Sequence, residues 1–359
     1  MNFRPEFATV LAVLRSLLLC LLPDGIAQAA GADALPEHLA GTGLFVPGSS
    51  TEIRSGVVAF SPQYPLWSDG TTKRRWIELP PDTFIDARRP TAWEFPVGTR
   101  LWKEFSLDRR VETRFMVRLT DGSWRYATYV WNEGQSDAVL APPEGMPALP
   151  IVSAPNGRYT IPSEPDCRAC HEGVAVPVLG FSALQLSADR DPLAVHAASS
   201  PAAQVELRAL VARGLLRNLP RRLLENPPRI AARSPTERAV LGYLHGNCGH
   251  CHSNPADSDA SVPVSILLEQ DASDPSSSGR VRRSLINVSG RFRLPGPNGS
   301  LPLITPGNSD ASMLTVRMRS RDGRVQMPPL GTAIPDSEGL ALVERWINHD
   351  LKGTNEVSP

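Results

Sequence analysis

The 359-residue sequence lacks a net charge, because 37 lysines and arginines are balanced by 37 aspartates and glutamates. Binding to nucleic acid through counterion release needs a basic surface, so the balance argues against that class of partner. It also lacks any uninterrupted apolar run of the ~20 residues that a bilayer-spanning helix needs. There are only five cysteines, an odd number, so no disulfide framework can use them all. Apolar residues, by contrast, make up 41% of the chain, enough for a sizeable core and too many for general disorder. The 35 prolines are nearly twice the usual share of ~5%, which favours long loops and short strands over an all-helical bundle. The length suits two or three domains.

The N-terminus accounts for the odd cysteine. Arg4 supplies a positive start and Leu17–Leu22 a short apolar stretch. Pro23 and Gly25 then precede Ala27-Gln28-Ala29, a small-x-small cleavage pattern. Residues 1–29 are therefore expected to be a signal peptide, removed with Cys20, and the mature chain to be exported to the periplasm of a Gram-negative bacterium. The competing readings are a membrane anchor, which Arg15 and Asp24 interrupt, and a lipidated Cys20, which the bulky Leu19 before it disfavours.

The other four cysteines form Cys167-Arg168-Ala169-Cys170-His171 and Cys248-Gly249-His250-Cys251-His252. Both are C-x-x-C-H, the attachment pattern of c-type haem. Two thiols add across the vinyl groups, and the adjacent imidazole ligates iron. A zinc site or a redox disulfide would also use paired cysteines, but neither explains the two histidines. The expected cofactors are two c-type haems, with His171 and His252 as iron ligands.

Ser234-Pro235-Thr236-Glu237 predicts a helix start directly ahead of the second pair, with Val240, Tyr243 and Leu244 on one face. Asp336 or Ser337 can cap a second helix carrying Leu340, Val343, Ile347 and Leu351. Between them lies Gln326-Met327-Pro328-Pro329-Leu330-Gly331. This order closely resembles the class I cytochrome c domain over about residues 234–353. The resemblance implies that Cys248 and Cys251 hold the haem, that His252 is the proximal ligand and that Met327 is the distal one. It further implies that Gly242 and Tyr243 pack against Trp346, and that Pro255 or Pro263 supports His252. Met313 and Met318 read as core. The stretch from His252 to Met327 is longer than compact members of that class use; Asp271–Gly279 reads as a loop followed by a strand-like pair.

The first pair has no Met-Pro loop after it. Its sixth ligand is open among His196, His245, Met146 or none. Upstream of it Tyr159–Pro162 reads as extended, and downstream Gln204–Leu216 reads as helical.

Residues 45–160 read as β-structure. Glu112–Leu119 and Trp124–Trp131 flank an Asp121-Gly122 turn, and Trp93–Phe105 supplies further short strands. Six of the seven tryptophans lie here, as core of a small sandwich or as lining of a ligand groove. No paired carboxylates, Ser-His-Asp grouping or phosphate-cradling glycine loop occurs in this part. The segments Tyr64–Gly70, Lys73–Ile77 and Trp131–Glu133, followed by the first C-x-x-C-H, together resemble a family of exported bacterial dihaem c-type cytochromes with a β-rich front half. The expected fold is thus multidomain α+β: a sandwich-like β domain (45–160), a first haem-attachment region (161–233) and a mostly helical class I cytochrome c domain (234–353).

Charge is uneven. Between Arg280 and Arg324 nine arginines face only Asp310 and Asp322. That stretch is expected either to guide an acidic redox partner or neutralise haem propionates, or to be the solvated face of a twisted hairpin. The expected function is electron transfer through covalently bound haem; the alternative is a dihaem peroxidase- or oxidase-like enzyme with the first haem as reactive centre.

Overall fold

The computed structural model describes residues 34–198, 205–253, 266–295 and 299–353. The expected signal peptide, Pro255 and Pro263 lie outside them. Among the described residues no helix is long and apolar enough to cross a membrane.

The strands are β1 (Val58–Ala59), β2 (Thr72–Glu78), β3 (Ile85–Asp86), β4 (Arg100–Ser106), β5 (Arg110–Arg118), β6 (Trp124–Trp131), β7 (Ala138–Leu140), β8 (Met146–Pro150), β9 (Arg158–Ile161) and β10 (Leu216–Arg217). Six of them form one antiparallel sheet in the order β1-β2-β4-β5-β6-β7, while β8-β9 and β3-β10 make small ladders. The Asp121-Gly122 hairpin joins β5 to β6 as the sequence predicts, with Gly122 at φ 84°. A sandwich would need a second sheet of comparable size, and the described residues form none. The six-stranded sheet is instead covered by helices and loops, because its apolar alternation leaves both faces to bury.

On one face Trp76, Trp102 and Phe115 stand in register, and Trp102 Nε1 donates to Thr42 Oγ1 of the Leu39–Thr42 turn at 2.8 Å. On the other, Ile77, Leu101, Met116 and Tyr126 pack against Val178, Phe181, Leu186, Leu207 and Leu210 from the region after the first cysteine pair. Trp76, Trp93, Trp102, Trp124 and Trp131 are all buried, so the tryptophan concentration is chiefly core.

The helices are α1 (Glu164–His171), α2 (Leu207–Ala212), α3 (Arg222–Glu225), α4 (Pro235–Asn247), α5 (Ser277–Leu285), α6 (Met313–Arg319) and α7 (Ser337–Arg345), the last continuing as a π-helical turn over Trp346–Asp350. Ser234 Oγ caps α4 by accepting from Glu237 N at 3.0 Å, and Asp336 caps α7 by accepting from Gly339 N at 3.0 Å. Val240, Leu244, Val281, Leu285, Met313, Leu342, Val343 and Trp346 form the core of this helical half. The expected strand-like pair after Asp271–Gly279 is helix α5: Val281 and Leu285 stand four apart on one buried side, and the arginines between them point elsewhere. The expected Gln204–Leu216 helix is shorter, with Gly214 at φ 71° closing it.

Candidate functional site

The first C-x-x-C-H lies on α1, a helix the extended Tyr159–Pro162 segment concealed. Ser163 and Asp166 form a capping box: Asp166 N donates to Ser163 Oγ at 3.2 Å, and Ser163 N donates to Asp166 Oδ2 at 2.9 Å. Pro165 sits in its first turn, and Glu164 N donates to Pro143 O at 2.8 Å. These bonds fix Cys167, Cys170 and His171 on the remaining turns. His171 Nδ1 donates to Pro177 O at 2.6 Å, and its ring lies 5.3 Å from that of Tyr126. With Nδ1 held by a carbonyl, Nε2 is the nitrogen left free.

The second C-x-x-C-H follows α4 as a tight turn. Cys251 N and His252 N both donate to Cys248 O, at 3.1 and 2.9 Å. Gly249 is required there, since a Cβ would meet His245 O at 2.6 Å. His252 O accepts from Leu268 N at 2.7 Å; its Nδ1 is buried and makes no hydrogen bond of regular geometry.

The two motifs meet. The thiols of Cys170 and Cys251 are hydrogen-bonded to each other, and Gly173 backs onto His250, its absent Cβ only 3.4 Å from His250 O. Cys167, Cys170, His171, Cys251, His252 and Met327 all line one cavity of about 1260 Å³. Cys248 is set back from it and packs on the helical core. All four cysteines are free thiols. Among the described residues no group of three or more His, Cys, Asp or Glu is arranged to hold a metal ion.

Burial pushes the Cys167 thiol up to about 11 and the Cys248 thiol up to about 12. In the Cys170–Cys251 pair the shared hydrogen bond raises Cys170 and lowers Cys251, so Cys251 is the better nucleophile of the two. Burial lowers His171 to about 4, and also lowers His252. Both rings are therefore neutral near pH 7, the form that can donate a lone pair.

A loop missed as functional in the sequence clamps the site. Asn247, immediately before Cys248, accepts from Trp67 N at 2.7 Å and donates to Pro65 O at 3.3 Å and Tyr243 O at 3.0 Å. Asp69 accepts from Ala333 N at 2.8 Å and Ile334 N at 3.1 Å, holding the chain just beyond Met327-Pro328-Pro329. The Tyr64–Gly70 segment thus ties the second cysteine pair to the methionine loop; its richness in turn-forming and aromatic residues was the available signal.

Other expectations need correction. Gly242 packs closely against Tyr64, a partner the sequence did not point to: a Cβ there would meet Tyr64 Cε1 at 2.0 Å. Tyr243 lies over Gly339, and Trp346 Nε1 donates to Glu237 Oε2 at 3.3 Å. Of the three candidate sixth ligands, Met146 sits in β8 and His196 Nε2 is bonded to Asp336 at 2.9 Å, and neither lines the cavity. His245 lines it, but its Nδ1 accepts from Gln270 N at 3.1 Å. The arginine-rich stretch is not a hairpin but α5, a bridged loop and α6. Much of its charge is locally answered: Arg280 pairs with Asp274, Arg282 with Glu237, Arg319 with Asp310 and Glu344, and Arg324 with Asp322.

No family model, no curated protein and no solved structure matches this chain.

Proposed function

We propose that the chain is a periplasmic dihaem c-type cytochrome that transfers electrons through covalently bound haem. Cys167 and Cys170 hold one haem, Cys248 and Cys251 the other, with His171, His252 and Met327 as iron ligands. One observation carries the reading: two C-x-x-C-H segments, distant in sequence, abut at Cys170 and Cys251 on the wall of a single cavity. At about 1260 Å³ that cavity exceeds the ~300–1,000 Å³ of ordinary one-ligand pockets. When bound, haem supplies a one-electron iron couple.

The chain's own residues do the rest. The Pro177 carbonyl orients His171 and raises the basicity of its Nε2, as an outer-shell acceptor does for metal-bound histidines. Burial keeps both imidazoles neutral. Asp69 holds the loop that presents the Met327 thioether, a ligand type that favours ferrous iron. The leader-like residues 1–29 support export, which haem attachment of this type requires.

A redox titration of the exported, matured protein tests the reading. The expected result is two reversible one-electron steps from low-spin haems. Absence of covalent haem overturns it. A second reading, a dihaem peroxidase- or oxidase-like enzyme, is favoured because neither His196 nor Met146 lines the cavity and His245, which does, has its Nδ1 engaged by Gln270 N. A high-spin haem that binds cyanide and consumes peroxide would select that reading.

A further inference from the structure

Strand register places three cations side by side. Arg75 of β2 is opposite Lys103 of β4, and Lys103 is opposite Arg114 of β5. All three project from the same sheet face, between the apolar row Ile77–Leu101–Met116 and the row Lys73–Phe105–Glu112. All three line the cavity that Cys167, Cys170 and Cys251 also line.

Like charges directly opposite one another destabilise a sheet, and taking cations out of water costs more unless each is paired. Here the compensation is incomplete. Arg114 is paired with the fully buried Glu112 at 2.6 Å, and Glu112 also accepts from Tyr159 Oη at 2.8 Å. Both bonds end on Glu112 Oε1; its Oε2 makes no hydrogen bond, and Glu112 acts on Lys103 only as a more distant attraction. Lys73 donates to Thr71 O at 2.9 Å. Arg75 is 8% exposed, and neither its side chain nor that of Lys103 donates a hydrogen bond to, or forms an ion pair with, any described residue. The Lys103 ammonium sits 4.9 Å over the Phe105 ring, which fixes its direction but does not neutralise it. The next carboxylate along, Glu104, points to the opposite face, where it meets Arg74 at 2.8 Å.

We infer that the row Arg75–Lys103–Arg114 is a carboxylate-binding site built into the cavity wall. The guanidinium fork of Arg75 suits bidentate capture, with the ammonium of Lys103 beside it, while Arg114, its Nε and Nη2 held by Glu112, adds positive charge to the row. A dicarboxylate answers two unpaired cations at once, and two sources offer that chemistry: the propionate pair of a porphyrin, or a diffusible dicarboxylate. The first source rests on the haem reading above; the second does not.

The test uses the full mature chain as exported, its haem content fixed by intact mass, with succinate as probe at constant ionic strength. If the site takes a diffusible dicarboxylate, saturating succinate raises the thermal midpoint by at least ~2 °C in the wild type. It does nothing in Lys103→Met or Arg75→Met. If propionates fill the site, succinate has no effect, and in the haem-loaded chain both variants lower the midpoint and the reduction potential, because each removes a cation from a bound carboxylate. The inference is overturned if succinate has no effect and the variants leave the midpoint unchanged or raised, as relief of an unanswered row of charges would do. It is equally overturned if the variants lower the midpoint in a chain without haem and without a succinate response, since lost packing then explains the result. Failure of the haem reading alone registers in the mass and leaves the succinate arm decisive.

Discussion

Gly242→Ala is a substitution whose sign separates local propensity from the packing described above. In an exposed helix interior the change should stabilise by ~1 kcal/mol, because alanine is the better helix former. In α4 the new methyl would meet Tyr64 Cε1 at 2.0 Å, Cδ1 at 2.3 Å and Cζ at 2.4 Å, an ångström or more inside the 3.4–4 Å of ordinary contact. Tyr64 cannot retreat cheaply. It is 3% exposed, its hydroxyl donates to Asp191 at 3.0 Å, and Gln185 bonds its backbone on both sides, at 2.9 and 3.1 Å. Overpacking of this kind costs ~1–3 kcal/mol, and the pinned ring puts this case at or beyond the upper end. After the propensity gain the net expectation is a loss of ~2 kcal/mol. Urea unfolding followed by far-ultraviolet circular dichroism measures it, within a double-mutant cycle on Tyr64→Ala. Removing the ring should absorb most of the Gly242→Ala penalty, leaving a coupling above ~1 kcal/mol. A neutral or stabilising Gly242→Ala, or an additive cycle, would refute the contact.

Asn247→Ala removes a buried amide that serves Trp67 N, Pro65 O and Tyr243 O, and should cost ~2–3 kcal/mol by urea unfolding; a loss under ~0.5 kcal/mol contradicts the clamp. Burial lowers the Lys73 amine from 10.5 to about 7, so between those values the unfolded chain holds the extra proton and stability rises with pH. Lys73→Met should therefore flatten the stability profile from pH ~7 upward relative to wild type; an unchanged slope there rejects the assignment. Met327→Ala in the matured protein should abolish the sulfur-to-iron charge-transfer band and lower one reduction potential, leaving the other in place; persistence of the band removes Met327 as ligand.

Much that is local was legible. The Ser234 cap with Pro235, the Asp121-Gly122 turn, the Asp336 cap and the buried faces of α4 and α7 each follow from a few adjacent residues whose hydrogen bonds close on themselves. Local signals could also mislead. Arg280-Val281-Arg282 alternates like a strand, while the i,i+4 pair Val281 and Leu285 decides for helix once the core covers it. The Ser163-x-x-Asp166 box was present in the sequence but lay behind a stretch rich in proline and acid. The site itself was only half legible. The cysteine–histidine spacings named its reactive groups, but their meeting depends on tertiary contacts: Asp69 on the Met327 loop, Tyr64 on Gly242, Cys170 on Cys251. The cation row is likewise invisible along the chain, because Arg75, Lys103 and Arg114 become neighbours only through strand register.

The most direct test of the dihaem account is the intact mass of the exported protein and of two paired variants, Cys167→Ser/Cys170→Ser and Cys248→Ser/Cys251→Ser. The account predicts two covalently attached haems in the wild type and one in each variant. A wild-type mass without haem, or with a haem count unaffected by one of the variants, would contradict it.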